Sequence, residues 1–94
     1  MFIGVLEVEL RLFEVRSLKE KRSVLKSLLL RLKNRFNVTV CESAYNDHHT
    51  KSEIGIATVS NERKHVESML QAVIDFIDED GRLEITRIQR EVIS

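Results

Sequence analysis

The sequence predicts an α+β sandwich of element order βαββαβ, and three observations carry that prediction. Apolar residues alternate in the first dozen positions. The pattern then changes to a helical spacing for one long run, returns to strand-like spacing twice, and repeats the helix and strand once more. Capping and turn residues fall at the changes of period. The chain has 94 residues, which is one domain's length with one modest core.

Each element has a local reason. In Leu6, Glu7, Val8, Glu9, Leu10, Arg11 and Leu12 the alternation is strict, so a strand with one buried face is expected. Ser17-Leu18-Lys19-Glu20 reads as a capping box opening the first helix. Leu18, Val24, Leu25, Leu28, Leu29 and Leu32 fall on one arc of that helix, and Asn34 is placed to end it. Residues 36–44 form a weakly patterned second strand, and the polar residues 45–51 a loop. Residues 53–59 form the third strand. Ser60 and Asn61 offer caps for the second helix, whose buried arc is Val66, Met69, Leu70, Val73, Ile74, Phe76 and Ile77. Gly81 is expected to supply a left-handed turn after Asp80. Residues 83–93 form the last strand, and a parity shift between Ile85 and Ile88 predicts a β-bulge.

This order is the split βαβ, or ferredoxin-like, arrangement: a four-stranded antiparallel sheet with both helices on one face. The open face then carries Ile3, Val5, Glu7, Glu9, Arg11 and Phe13. Its mixed character suggests a surface that meets something, and Ile3, Val5 and Phe13 are candidates for an interface with a second copy. The composition, 43% apolar and 32% charged without Pro or Trp, suits a globular domain. No run approaches the length of a membrane span. The first residues lack a basic region and read as a strand rather than a signal peptide. A lone Cys41 fits a reducing cytoplasm and is expected to pack as a small apolar residue.

The equal numbers of acids and bases conceal an imbalance. Residues 16–35 hold eight basic side chains against the single Glu20, a local +7 that leaves −7 for the rest. Lys19, Arg22, Lys26 and Lys33 line one flank of the first helix, with Leu30 among them. Lys21, Arg31 and Arg35 are assigned to the opposite flank. Lys19, Lys21 and Arg22 stand in the first turns, where an exposed cation costs about 0.3–1 kcal/mol against the helix dipole. Two explanations stay open. One is a bound anion such as an RNA phosphate, with Lys19, Lys21, Arg22, Lys26 and Lys33 as its contacts. The other is pairing with acids of the second helix, such as Asp78, Glu79 and Asp80. An ordinary solvated helix face is the plain alternative to both. The central strands offer no aromatic pair for RNA stacking of the RRM type, so any RNA contact would run through phosphates.

Glu42, Asp47, His48 and His49 form the densest polar cluster and are the loop candidates. Adjacent histidines on an extended chain point apart, so a metal site there would need further ligands, and no metal or other cofactor is assigned. No catalytic constellation is visible and no glycine loop cradles a phosphate. Gly55 is expected to permit close helix packing.

Ser17-Leu18-Lys19-Glu20-Lys21-Arg22-Ser23, Arg35-Phe36-Asn37-Val38, Glu53-Ile54-Gly55-Ile56-Ala57 and Val59-Ser60-Asn61-Glu62-Arg63 together resemble the YlxP-like family of small bacterial proteins, a domain of unknown function. The resemblance covers nearly the whole chain and implies the same ferredoxin-like fold. Its gene neighbourhoods imply a cytoplasmic role near translation and ribosome maturation, and it carries no catalytic residues to transfer. Glu42 and Asp47 match the family pattern. Ala44 replaces a usual acidic residue, and His49-Thr50 replaces a usual aromatic-Gln pair. The resulting expectation is a non-enzymatic cytoplasmic accessory protein that contacts RNA or a ribosomal partner through its basic first helix. The alternative is an interaction module, a homodimer in the simplest case, that uses the open sheet face. Neither expectation involves a membrane.

Overall fold

A computed structural model describes residues 1–94. The elements are β1 (Phe2–Leu12), α1 (Leu18–Arg35), β2 (Thr39–Ala44), β3 (Lys51–Ser60), α2 (Arg63–Asp78) and β4 (Leu83–Ile93). They form one sheet of order β2-β3-β1-β4, every pair antiparallel. This is the βαββαβ layout that the changes of period predict.

The alternation in β1 sets the two faces. Leu6, Val8, Leu10 and Leu12 point to the helices and are buried, together with Ile54 and Ile56 of β3. Leu25, Leu28 and Leu32 of α1 and Val66, Leu70, Val73, Ile74 and Ile77 of α2 close over them. Each such side chain stabilises the fold by about 1.5–3 kcal/mol relative to exposure. The predicted bulge is present, since the β1–β4 register shifts between Glu9 and Leu10 and passes over Thr86.

The helix ends differ in detail from their expected form. At α1 the Ser17 hydroxyl accepts from the Glu20 amide at 3.1 Å, but Glu20 reaches back to the Arg16 amide at 3.0 Å rather than to that of Ser17. The helix runs one residue past Asn34, and the Phe36 amide closes it by donating to the Leu32 carbonyl. Residues 36–38 precede β2 instead of belonging to it. Glu62, not Ser60 or Asn61, is the N-cap of α2 and makes no side-chain cap bond; Ser60 accepts from the Glu62 amide at 3.2 Å.

The turn after α2 does not use a left-handed glycine, because no glycine has a positive φ. Asp80 makes the turn instead. Its carboxylate accepts from the backbone amide of Arg82 at 3.0 Å and from the Arg82 guanidinium at 2.7 Å. A short side chain that bonds the amide two residues on fixes such a turn without positive φ. Those bonds, with Arg31 adding another, hold the Asp80 carboxyl well below the usual carboxylate range.

The glycines also exchange roles. Gly55 lies on the open face opposite Glu7 and Cys41, so it packs against no helix. A Cβ there would sit 3.4 Å from Ser43 Cβ and 3.5 Å from Cys41 Sγ, which is ordinary contact. Gly4 is the residue beneath a helix, where an added Cβ would lie 2.5 Å from Val66 Cγ1.

Two outcomes follow for stability. In urea titration Gly4→Ala is expected to lose about 1–3 kcal/mol by overpacking, whereas Gly55→Ala is neutral or gains up to about 1 kcal/mol through the unfolded chain. Asp80 has a lowered folded-state pKa, so its stabilisation is full above the ordinary carboxylate range and fades as pH falls through it. The stability gap between the native protein and Asp80→Asn should therefore be widest near neutrality and shrink progressively below about pH 5. Denaturation midpoints measured over that pH series check this.

Candidate functional site

The basic helix divides into three groups once its neighbours are in place. Lys21 is the first. Its side chain is fully buried, and its ammonium lies 2.8 Å from Glu42 Oε2 of β2. The same ammonium donates to the Tyr45 carbonyl at 2.6 Å. Ser52 of β3, itself buried, donates to Glu42 Oε2 at 2.6 Å. Lys21 is therefore withdrawn from the exposed anion-binding candidates. The physical reason is its phase: it stands four, seven and eleven residues before Leu25, Leu28 and Leu32, on their stripe rather than on a flank.

The second group faces α2. Arg31 pairs with Asp80 at 2.8 Å. Arg31 and Arg35 both lie over the Phe76 ring, 5.5 Å from its centroid, and Phe76 meets Phe36 edge to face. Of the acids expected to answer α1, Asp80 does so.

The third group is Lys19, Arg22, Lys26 and Lys33. All four are exposed, and none has a carboxylate within 4.0 Å. They occupy one flank of α1, spread over about 21 Å of helix at 1.5 Å per residue. Arg22, Lys26 and Lys33 rim a groove of about 360 Å³ floored by Leu25, Leu29 and Leu30, with Glu42 at its edge. Leu30 is 55% exposed among them. At the amino end of α1 the Ser17 hydroxyl takes the Glu20 amide, and the Glu20 carboxylate folds back to the Arg16 amide, which sets a negative group beside the first turn. The available cations thus form a row along the helix rather than a cluster at its first turn.

The loop candidates do not converge. Glu42 turns toward the helix layer and is committed to Lys21 and Ser52. Asp47, His48 and His49 are exposed. The two imidazoles stack at 6.2 Å, and the Thr50 amide donates to His48 Nδ1 at 3.3 Å. No three His, Cys, Asp or Glu side chains gather to hold a metal ion. Tyr45, whose carbonyl receives Lys21, has a left-handed φ of 62°, so the loop starts from a backbone held by the buried ammonium.

On the open face, Ile3 and Val5 are half-buried and Phe13 is exposed beneath Arg11. Cys41 is exposed there rather than packed, because β2 is an edge strand whose odd positions face away from the helices. Glu53 lies beside Glu7, and hydrogen bonding and repulsion between the two carboxyls raise the Glu7 pKa. Glu9 shifts the other way through the Tyr45 hydroxyl and then Lys51. Sequence reading missed the Lys21–Glu42–Ser52 cluster, the Glu7–Glu53 pair and the Arg31–Asp80–Arg82 junction. The first was signalled by the phase of Lys21, and the second by two acids in facing strands.

Residues 3–90 match a family described as "Protein of unknown function (DUF503)". The chain belongs to that family. It is 43% identical over 89 residues to the uncharacterized protein YlxP of Bacillus subtilis (strain 168), covering 95% of this chain and 97% of that one. The family membership agrees with the resemblance carried by the Ser17–Ser23 run and leaves the biochemical role to be read from the surface.

The buried cluster makes an energetic prediction. Lys21→Ala leaves Glu42 unpaired and should cost about 3–5 kcal/mol. Replacing both partners, Lys21→Met with Glu42→Leu, should recover most of that, leaving about 1 kcal/mol for the orphaned Ser52 hydroxyl. A double-mutant cycle in urea measures both values.

Proposed function

We propose that the protein is a non-enzymatic cytoplasmic accessory factor that contacts RNA, free or within a ribonucleoprotein, through the Lys19, Arg22, Lys26 and Lys33 flank of α1. The observation that carries this reading is the absence of acidic partners along that flank while Lys21 and Arg31, on the same helix, are answered within the fold. Cations that the fold does not neutralise, held in a row on a rigid element, suit a polyanionic backbone. The remaining surface carries the compensating negative charge and would repel the same ligand, which orients the encounter. The sheet face between β1 and β3 offers no stacking aromatics, so the contact is with phosphates and carries little sequence information.

Binding to single-stranded RNA should weaken steeply with salt. Each cation that neutralises a phosphate contributes about 0.7 to the log–log slope. Lys19→Ala with Arg22→Ala should remove roughly 1.4 from it. Arg63→Ala, a residue paired to Glu67 on α2, should leave it unchanged. Fluorescence anisotropy across a salt series decides the matter, and binding indifferent to salt or to the double substitution would sink the reading.

A further inference from the structure

The open sheet face is self-complementary, and the register shows how. Cross-strand neighbours form rungs running from β3 through β1 to β4: Val59–Ile3–Ile93, Ala57–Val5–Glu91, Gly55–Glu7–Gln89 and Glu53–Glu9–Arg87. Beyond the bulge, Lys51 and Glu84 flank Arg11 in the same way. At the charged end, β3 and β4 therefore carry opposite charges on either side of β1. At the other end the outermost rung is apolar on both, with Val59 57% and Ile93 42% exposed, and the next sets Ala57 across from Glu91.

We propose that this face binds a second copy of the chain, related by a two-fold axis that runs parallel to β1. Rotation about such an axis keeps each rung at its level and exchanges the flanking strands, so β3 of one copy lies over β4 of the other. Val59 then meets Ile93 of the second copy, Glu53 meets its Arg87, and Lys51 meets its Glu84, each contact occurring twice. Gln89 is brought over Gly55, where the missing side chain leaves a hollow of about 280 Å³ lined by Val5, Glu7, Cys41 and Ala57.

Charge complementarity selects this occupant and this operator. An axis across the strands would put Arg11 on Ile3, Glu9 on Val5, Glu53 on Ala57 and Lys51 on Val59, whereas the axis along β1 sets only Glu91, on the edge strand, over an apolar residue, Ala57. A different protein would have to reproduce independently the order of charges that the second copy already carries. Facing sheets cross at roughly 30°, and Glu53 lies one rung, or about 7 Å, from the middle. With the strand spacing included, the resulting offset at Glu53 and Arg87 is about 4 Å, within reach of an arginine and a glutamate. Along the axis Ile3 and Val5 meet their own copies, while Glu9 and Arg11 arrive paired with Lys51 at 3.4 Å and Glu84 at 2.9 Å. Glu7 meets Glu7 at the middle. Its carboxyl already takes a proton more readily than an ordinary glutamate because of Glu53, and one shared proton turns that repulsion into a hydrogen bond. This dimer leaves the α1 flank free and does not rest on RNA binding.

Sedimentation velocity tests the pairing. The native protein should be dimeric at micromolar concentration. Glu53→Arg and Arg87→Glu each place like charges at two contacts and should weaken the dimer at least about tenfold. A 1:1 mixture of the two restores opposite charges at both contacts and should dimerise again, as should the chain carrying both substitutions. Circular dichroism establishes that each variant is folded, and the doubly substituted chain reads the same pairing if one of the single variants is not. A native monomer, a dimer indifferent to both substitutions, or folded variants that do not re-associate on mixing would overturn the proposal.

Discussion

An ammonium group sealed from water in the middle of an apolar helix stripe requires an anion at hydrogen-bonding distance, because an isolated buried charge costs several kcal/mol. Lys21 imposes that requirement, and the rest of this half of the molecule is arranged to meet it. Glu42 must point inward from β2, which fixes the parity of that strand and turns Cys41 outward. Ser52 must present its hydroxyl from β3 to take up the second demand on the carboxylate. The loop after β2 must begin with a carbonyl aimed at the ammonium, and Tyr45 adopts a left-handed backbone there. The cluster thereby ties α1 to β2, β3 and the 45–50 loop at one point, and no buried side-chain nitrogen or oxygen lacks a partner. An apolar trio could stabilise the same contact equally well. It would not fix which face of β2 turns inward.

The charge of α1 makes sense only when it is divided this way. The local +7 of residues 16–35 is not one feature. One cation belongs to the interior, and the α2-facing pair belongs to a junction in which Asp80 and Phe76 hold Arg31 and Arg35. The remaining row is left to solvent. Internal neutralisation and an external anion were alternatives for the helix as a whole, and the structure assigns the first to particular residues. The second survives only for residues the fold leaves unpaired, so a smaller set of cations carries a sharper reading.

Much of this was legible in the sequence, for identifiable reasons. Alternation in β1, the Ser17 cap and the parity shift in β4 are local signals, and each appears where its period places it. The misreadings share a different origin. The helical projection sets Lys21 on a flank with Arg31 and Arg35, although its spacing to Leu25, Leu28 and Leu32 puts it on their face. Gly55 was assigned to helix packing by residue type alone; strand parity relative to Ile54 and Ile56 would have turned it to the open face. Gly4 carries no pattern of its own, because the close approach of Val66 exists only after α2 has docked. The Asp80–Arg82 turn replaced a glycine turn because a side-chain acceptor two residues before an amide gives the same reversal. Residue type proposes a role, and phase and partners decide it.

The two proposed surfaces lie on opposite sides of the domain, and that separation links them. A row of four cations on a protein with no net charge gives a contact that physiological salt weakens strongly. Pairing through the open sheet face buries the mixed surface between two copies and turns both helix layers outward. The assembly then carries two α1 flanks facing away from each other. A short strand cannot touch both, so it gains nothing from the dimer. A long or folded RNA, or a particle with phosphates on two surfaces, engages the second flank at the high effective concentration set by the first. Discrimination of that kind depends on the ligand's extent and shape rather than its sequence. It suits a domain whose central strands carry no aromatic pair on the open face and whose unpaired cations include a row along one helix flank.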